Sequence, residues 1–166
     1  NVQVLPVLID ETKLPYFDLT MARPDLRDLP HFDPPEGYSF RLFEDGDEQT
    51  WAEVQTSSGL FQNVDEARAM FQTEFQPCIE EMPRRSLFMA APNGRAVGSS
   101  TGWFNDDFLG QSWGRVHWVA MRSDAQGHGL GRPLVGATLE LLAGMHERAY
   151  LETQTVRARA VRLYLD

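Results

Sequence analysis

The stretch Ala125 to Leu134, AQGHGLGRPL, places glycines at 127, 129 and 131 a few residues after an alternating apolar segment, VHWVAM, which ends five residues before Gln126, and directly before an apolar pattern of helical period. Strand, glycine loop, helix start is a strong constraint. Each glycine costs conformational entropy on folding, so the loop must bend sharply or let something approach its backbone closely. The free N–H groups and the positive end of the following helix then converge on one point, an arrangement that suits an anion. Spacing excludes two common phosphate loops. The Walker loop needs a lysine that is absent here, Lys13 being the only one in the chain, and the dinucleotide fingerprint needs glycine where Arg132 stands.

The rest of the chain sorts into elements around this loop. Residues 1–36 carry Pro6, Pro15, Pro24, Pro30, Pro34 and Pro35 and read as an extended N-terminal arm, with one edge strand in VQVLPVLI. The domain proper spans 37–166 and opens with the alternating strand YSFRLF. A helix follows in EDGDEQTWAEV, and a second in NVDEARAMFQTEF, where Val64, Ala67, Met70, Phe71 and Phe75 recur at helical spacing. Asn93-Gly94 between SLFMAA and RAVGSST predicts a two-residue hairpin turn. NDDFLGQSWG reads as a polar tip before a strand over 115–121. The glycine loop then opens a helix over about 132–147 with Pro133 in its first turn, YLETQTV forms a strand, and RARAVRLYLD opens a last helix. The order predicts an α+β fold: a mixed sheet flanked by helices, with its last two strands parallel across the helical crossover.

Composition bounds the function. At 166 residues the chain can bury a full core. A net charge of −9 argues against a nucleic-acid partner. No apolar run approaches the roughly 18 residues that cross a bilayer, which argues against a membrane partner and for a cytoplasmic location. The single cysteine, Cys78, reads as a buried structural thiol in a reducing compartment. His146 reads as lying on a solvated helix face.

Gln126-Gly127-His128-Gly129-Leu130-Gly131 resembles the [RQ]-x-x-G-x-[GA] signature of the GNAT family of N-acetyltransferases, and the likeness extends over the order of elements from Tyr38 to Asp166. The resemblance implies a GNAT-like acyl-CoA N-acyltransferase fold with acetyl-CoA as co-substrate. It implies that backbone amides of residues 126–131 grip the pyrophosphate, with His128 serving through its backbone and Arg132 as counter-charge. The backbone at Val119 and Met121 would pair with the pantetheine arm. Ala160, Leu163 and Tyr164 match the family segment A-x-x-L-Y, whose tyrosine commonly acts as general acid toward the departing thiolate; a ring packed on the sheet is the alternative. Strand alternation puts His117 on the face of Val119 and Met121, a position where a member of the family uses histidine in amine deprotonation. A histidine satisfied by a structural hydrogen bond is the alternative there.

Two departures stand against the pattern. Arg157 replaces the family's usual asparagine, and the chain stops at Asp166 where the family continues into two further strands. The VQVLPVLI segment is a candidate to fill that place. The acceptor is a small-molecule or peptide amine, with TSSGLFQNVD, Trp103, Phe104 and the acidic residues Glu80, Glu81, Asp106 and Asp107 as candidate determinants. A homodimer is common in the family. The alternative function is a non-catalytic acyl-CoA-binding module.

Other motifs carry less. Gly98-Ser-Ser-Thr-Gly102 matches the nucleophile elbow G-x-S-x-G, but the residues after Gly102 continue as strand rather than helix. His146-Glu147 begins a zinc signature whose second histidine is replaced by Tyr150, and His31, His117 and His128 lack ligand spacing, so no metal is expected.

Overall fold

The computed structural model describes residues 14–165. The chain divides into two compact units, the larger Ala22–Leu151 and the smaller formed by the two ends of the chain.

In the larger unit, strands β2 (Ser39–Leu42), β3 (Ser86–Ala90), β4 (Ala96–Phe108) and β5 (Gln111–Met121) form an antiparallel meander, and the start of β6 (Ala149–Gln154) pairs parallel to β5. The parallel pairing matches the expectation from sequence. Helices α1 (Glu48–Ser57) and α2 (Val64–Phe75) cover one side of this sheet, and α4 (Gly131–Ala143) the other. A 3₁₀ stretch Gln76–Glu81, kinked at Cys78, leads into the short α3 (Met82–Arg85). Cys78 is half-buried rather than buried, because it sits at that kink and not on a packed face.

Local chemistry explains these boundaries. Asn63 caps α2 by accepting from the Glu66 amide at 2.9 Å, while Glu66 reaches back to the Asn63 side chain and the Gln62 amide. Ala67, Phe71 and Phe75 then bury one helical stripe. On α1, Trp51 and Gln55 are buried one turn apart. On the other side of the sheet, a Cβ on Gly114 would stand 2.8 Å from Leu142 and 3.3 Å from His146, so that glycine lets α4 approach closely.

Three expectations from sequence are corrected. Asn93-Gly94 does not form a two-residue turn: Pro92 holds the first corner at negative φ, the Gly94 amide donates to the Ala91 carbonyl at 2.8 Å, and only Gly94 turns left-handed. The loop therefore has three residues. The polar tip over 105–114 is instead a continuation of β4 and β5, closed by the two-residue turn Leu109-Gly110 with φ of 53° and 74°. Helix α4 ends at Ala143, with Gly144, a poor helix former, as its C-cap. His146 consequently lies beyond the helix, half-buried, with its Nε2 3.2 Å from Arg85 Nη1.

Residues 22–36 pack within the larger unit. Leu26 is buried and donates its amide to the Glu147 carbonyl at 3.0 Å, and Phe32 lies against Gly136 of α4. Strand β1 (Asp18–Arg23) neighbours β6 in the strand order; within the smaller unit the Thr155 amide donates to the Phe17 carbonyl at 3.0 Å, and α5 (Ala158–Leu165) follows. A strand from the N-terminal segment thus borders β6, but it is DLTMAR; VQVLPVLI lies outside the described residues. Among the described residues no helix is long and apolar enough to cross a membrane.

Candidate functional site

The glycine loop is fastened at both ends. Gln126 Nε2 donates to the Met121 carbonyl at 3.0 Å, tying the loop to the end of β5, and Leu130, 2% exposed, anchors it beneath α4. Between these anchors Gly127 and Gly129 are exposed, with φ of 80° and 76°. A Cβ on either would meet nothing within 4 Å, so the conformation rather than space demands glycine.

Helix α4 then starts at Gly131 with no side chain capping its first turn. Its N–H donors are offered to the loop side, and Pro133 removes one that would otherwise need a partner. Arg132 is exposed and its guanidinium rests 5.7 Å from the centre of the Phe32 ring. Gln126 through Arg132 are therefore brought together as a loop that can take an anion on its backbone.

β5 leads into this loop and is irregular. It pairs with β4 at Ser99↔Ala120 and next at Thr101↔His117, so Ser100 faces two residues, Trp118 and Val119. This is a β-bulge, and Trp118 carries a left-handed φ of 50°. The extra residue breaks the alternation. Val119 and Met121 pack on the α4 side with Leu134, whereas His117 faces α2, its Nε2 3.0 Å from Glu74 Oε2 and its ring edge-on to Phe75. The expectation that His117 shares a face with Val119 and Met121 is corrected for this reason. Within the larger unit the β5–β6 ladder joins Gly114 to Ala149 and Arg115 to Tyr150, and β5 runs on to Met121.

Electrostatics set the form of each titratable candidate. Burial, with the nearby Arg115 charge, lowers the His117 pKa to about 4 against the pull of Glu74, so its imidazole is neutral at pH 7. Tyr164 lies on α5 in the smaller unit, where burial raises its phenol above the ordinary value of 10 and the Arg157 charge acts in the opposite direction.

The His117 shift predicts a pH dependence of stability. An unfolded histidine takes up its proton near pH 6.5 and the folded one only near 4, so the contribution is complete above 6.5 and is lost as pH falls toward 4. The loss should amount to about 2–3 kcal/mol, allowing for the Glu74 contact. Urea denaturation between pH 7 and about 4.5 should show a shallower decline for His117→Gln than for the native chain. Equal slopes would contradict the assignment.

The nucleophile-elbow motif loses its geometry. Ser100 is fully buried in the middle of β4, its hydroxyl 2.8 Å from Thr138 Oγ1, and no sharp turn presents it. Among the described residues no group of three or more metal-ligating side chains could hold an ion. Sequence reasoning missed Gln55 and Glu74. The partner of His117 is 43 residues away along the chain, and no local pattern marks it.

Comparison with known proteins agrees with this architecture. The sequence profile described as the acetyltransferase (GNAT) family matches residues 23–166. No curated protein matches the chain in sequence. Among solved structures, a GCN5-related N-acetyltransferase from Sphaerobacter thermophilus matches with a TM-score of 0.66 and 19% identity, over 87% of this chain and 47% of that one. A GNAT-family acetyltransferase from Colwellia psychrerythraea matches with a TM-score of 0.68 and 7% identity, over 92% of this chain and 52% of that one. The NatC complex bound to Gag peptide and CoA matches with a TM-score of 0.56 and 14% identity, over 77% of this chain and 81% of that one. The chain thus spans about half the length of the first two. Fold, loop and profile agree: the chain belongs to the acetyltransferase (GNAT) family.

Proposed function

We propose that this chain transfers an acetyl group from acetyl-CoA to a primary amine by direct attack of the amine on the thioester. The observation that carries the reading is the loop: two left-handed, exposed glycines ahead of a helix start that no side chain caps, tied by Gln126 to the end of β5. That donor set fits a pyrophosphate, since bare amides at a helix start stabilise negative charge.

When bound, acetyl-CoA supplies an acyl group already activated as a thioester. The chain's residues do the rest. Amides of residues 126–131 hold the pyrophosphate, with Arg132 as counter-charge, and the β5 backbone at Val119 and Met121 aligns the pantetheine arm and polarises the carbonyl. An amine near pKa 10 is mostly protonated at pH 7, so a group must take its proton. His117, neutral throughout the physiological range, serves directly or through a water. A depressed pKa makes it a weak base, which favours relay over full capture of the proton. Tyr164, protonated at neutral pH like any phenol and held so more firmly by burial, donates its proton to the departing sulfur. The acceptor is a small-molecule or peptide amine; the NatC complex holds a peptide together with CoA on a related fold.

Tyr164→Phe and His117→Ala should each lower kcat by about ten- to a thousandfold, the usual range for a lost proton-transfer group, while acetyl-CoA affinity stays within about threefold. Release of free thiol from acetyl-CoA across a panel of amines measures this. Unchanged kcat in both variants would remove the assigned proton carriers. Binding without amine-dependent release for any acceptor would mark a binding module instead.

A further inference from the structure

We propose that Gln55 is a positioning residue for acyl transfer: its amide holds the Trp118 carbonyl and so maintains the bulge that turns His117 toward α2 and shapes β5 ahead of the glycine loop. The inference rests on the acetyltransferase reading above.

Gln55 sits on α1 with no exposure, where an uncompensated amide would be costly. Its Nε2 donates to the Trp118 carbonyl at 2.9 Å and lies 3.1 Å from Ser99 Oγ, while its Oε1 has no partner. The side chain is thus used as a donor, aimed at the place where the β4–β5 ladder breaks. Trp118 at that break holds a φ that an L-residue with a bulky side chain adopts only when its surroundings impose it.

The bulge decides the faces of β5. Opposite the bulge β4 alternates regularly, with Ser99 toward Gln55 and Ser100 toward Thr138. On β5 both His117 and Trp118 face the α1–α2 side: His117 reaches Glu74, and Trp118 packs on Trp51 and Phe61. Removing the extra residue would return His117 to the side of Val119 and Met121, away from Glu74. Two forces can hold the bulge, the Gln55 donor and the packing of the Trp118 ring. The experiment must separate them.

Gln55→Met keeps the apolar volume and removes the donor. Gln55→Glu keeps the shape and donates only when its carboxyl is protonated, and burial moves that titration upward toward neutrality. For Gln55→Met we expect kcat to fall about ten- to a hundredfold with the acetyl-CoA KM within about threefold. The backbone NMR shifts of Trp118 should move from left-handed to extended values. For Gln55→Glu, both kcat and the Trp118 shifts should be native-like near pH 5.5 and change together as pH rises toward 8, a transition absent from the native chain. A native kcat or native Trp118 shifts in Gln55→Met would overturn the proposal. Should that variant fail to fold, a Gln55→Glu chain without the extra pH transition would overturn it equally. A native chain that binds no acetyl-CoA would instead refute the acetyltransferase reading, while the Trp118 shifts would still report whether Gln55 holds the bulge.

Discussion

Gly129→Val is expected to weaken acetyl-CoA binding by about a hundredfold or more, the equivalent of losing two hydrogen bonds to a charged group. The residue holds φ at 76°, where a β-branched side chain is strongly disfavoured, so the substituted loop must take another path. Its amides then no longer converge in front of α4. The fold should survive: the loop is exposed, no atom lies within 4 Å of the added Cβ position, and the left-handed penalty is only about 1–2 kcal/mol. Calorimetric titration of a variant with native near-ultraviolet circular dichroism tests this. An affinity within threefold of the native value would show that the loop backbone does not hold the cofactor.

Trp51→Ala should have the largest effect on stability, about 3–5 kcal/mol against the 5–15 typical of a domain. Trp51 has no exposure, and its ring contacts Phe71 at 5.4 Å, Phe75 at 5.7 Å, Trp118 at 5.5 Å and Phe61 at 6.3 Å between centroids. No single neighbour can fill the space it leaves, because these rings come from α2, β5 and the α1–α2 loop. Loss of its contact with Trp118 also weakens the bulge. Urea denaturation measures the change, and a loss below about 1 kcal/mol would mean that the cluster repacks around the cavity.

The glycine loop and the helices are legible in the sequence because their signals are local. Asn63 ahead of Glu66, the stripe of Ala67, Phe71 and Phe75, and Pro133 behind Gly131 each state a boundary within a few residues. The turns are less so. Asn93-Gly94 suggests a two-residue loop, but Pro92 shifts the hairpin to three, while Leu109-Gly110 forms the two-residue turn without the usual asparagine.

The part of the site to which proton transfer is assigned by proposal is least legible, and the reason is geometric. Period-two reasoning assigns His117 to the wrong face because one residue in a bulge inverts every assignment before it on the strand. The cause lies in Gln55, some 60 residues upstream on α1, and the consequence appears at Glu74 on α2. Neither carries a motif. Their roles exist only once the two helices lie on the sheet.

The central claim is that the loop between β5 and α4 receives acetyl-CoA, and calorimetric titration of the native protein with acetyl-CoA tests it most directly. The account predicts saturable binding with one molecule per chain. Absence of any binding heat at millimolar acetyl-CoA, with the protein folded, would contradict it.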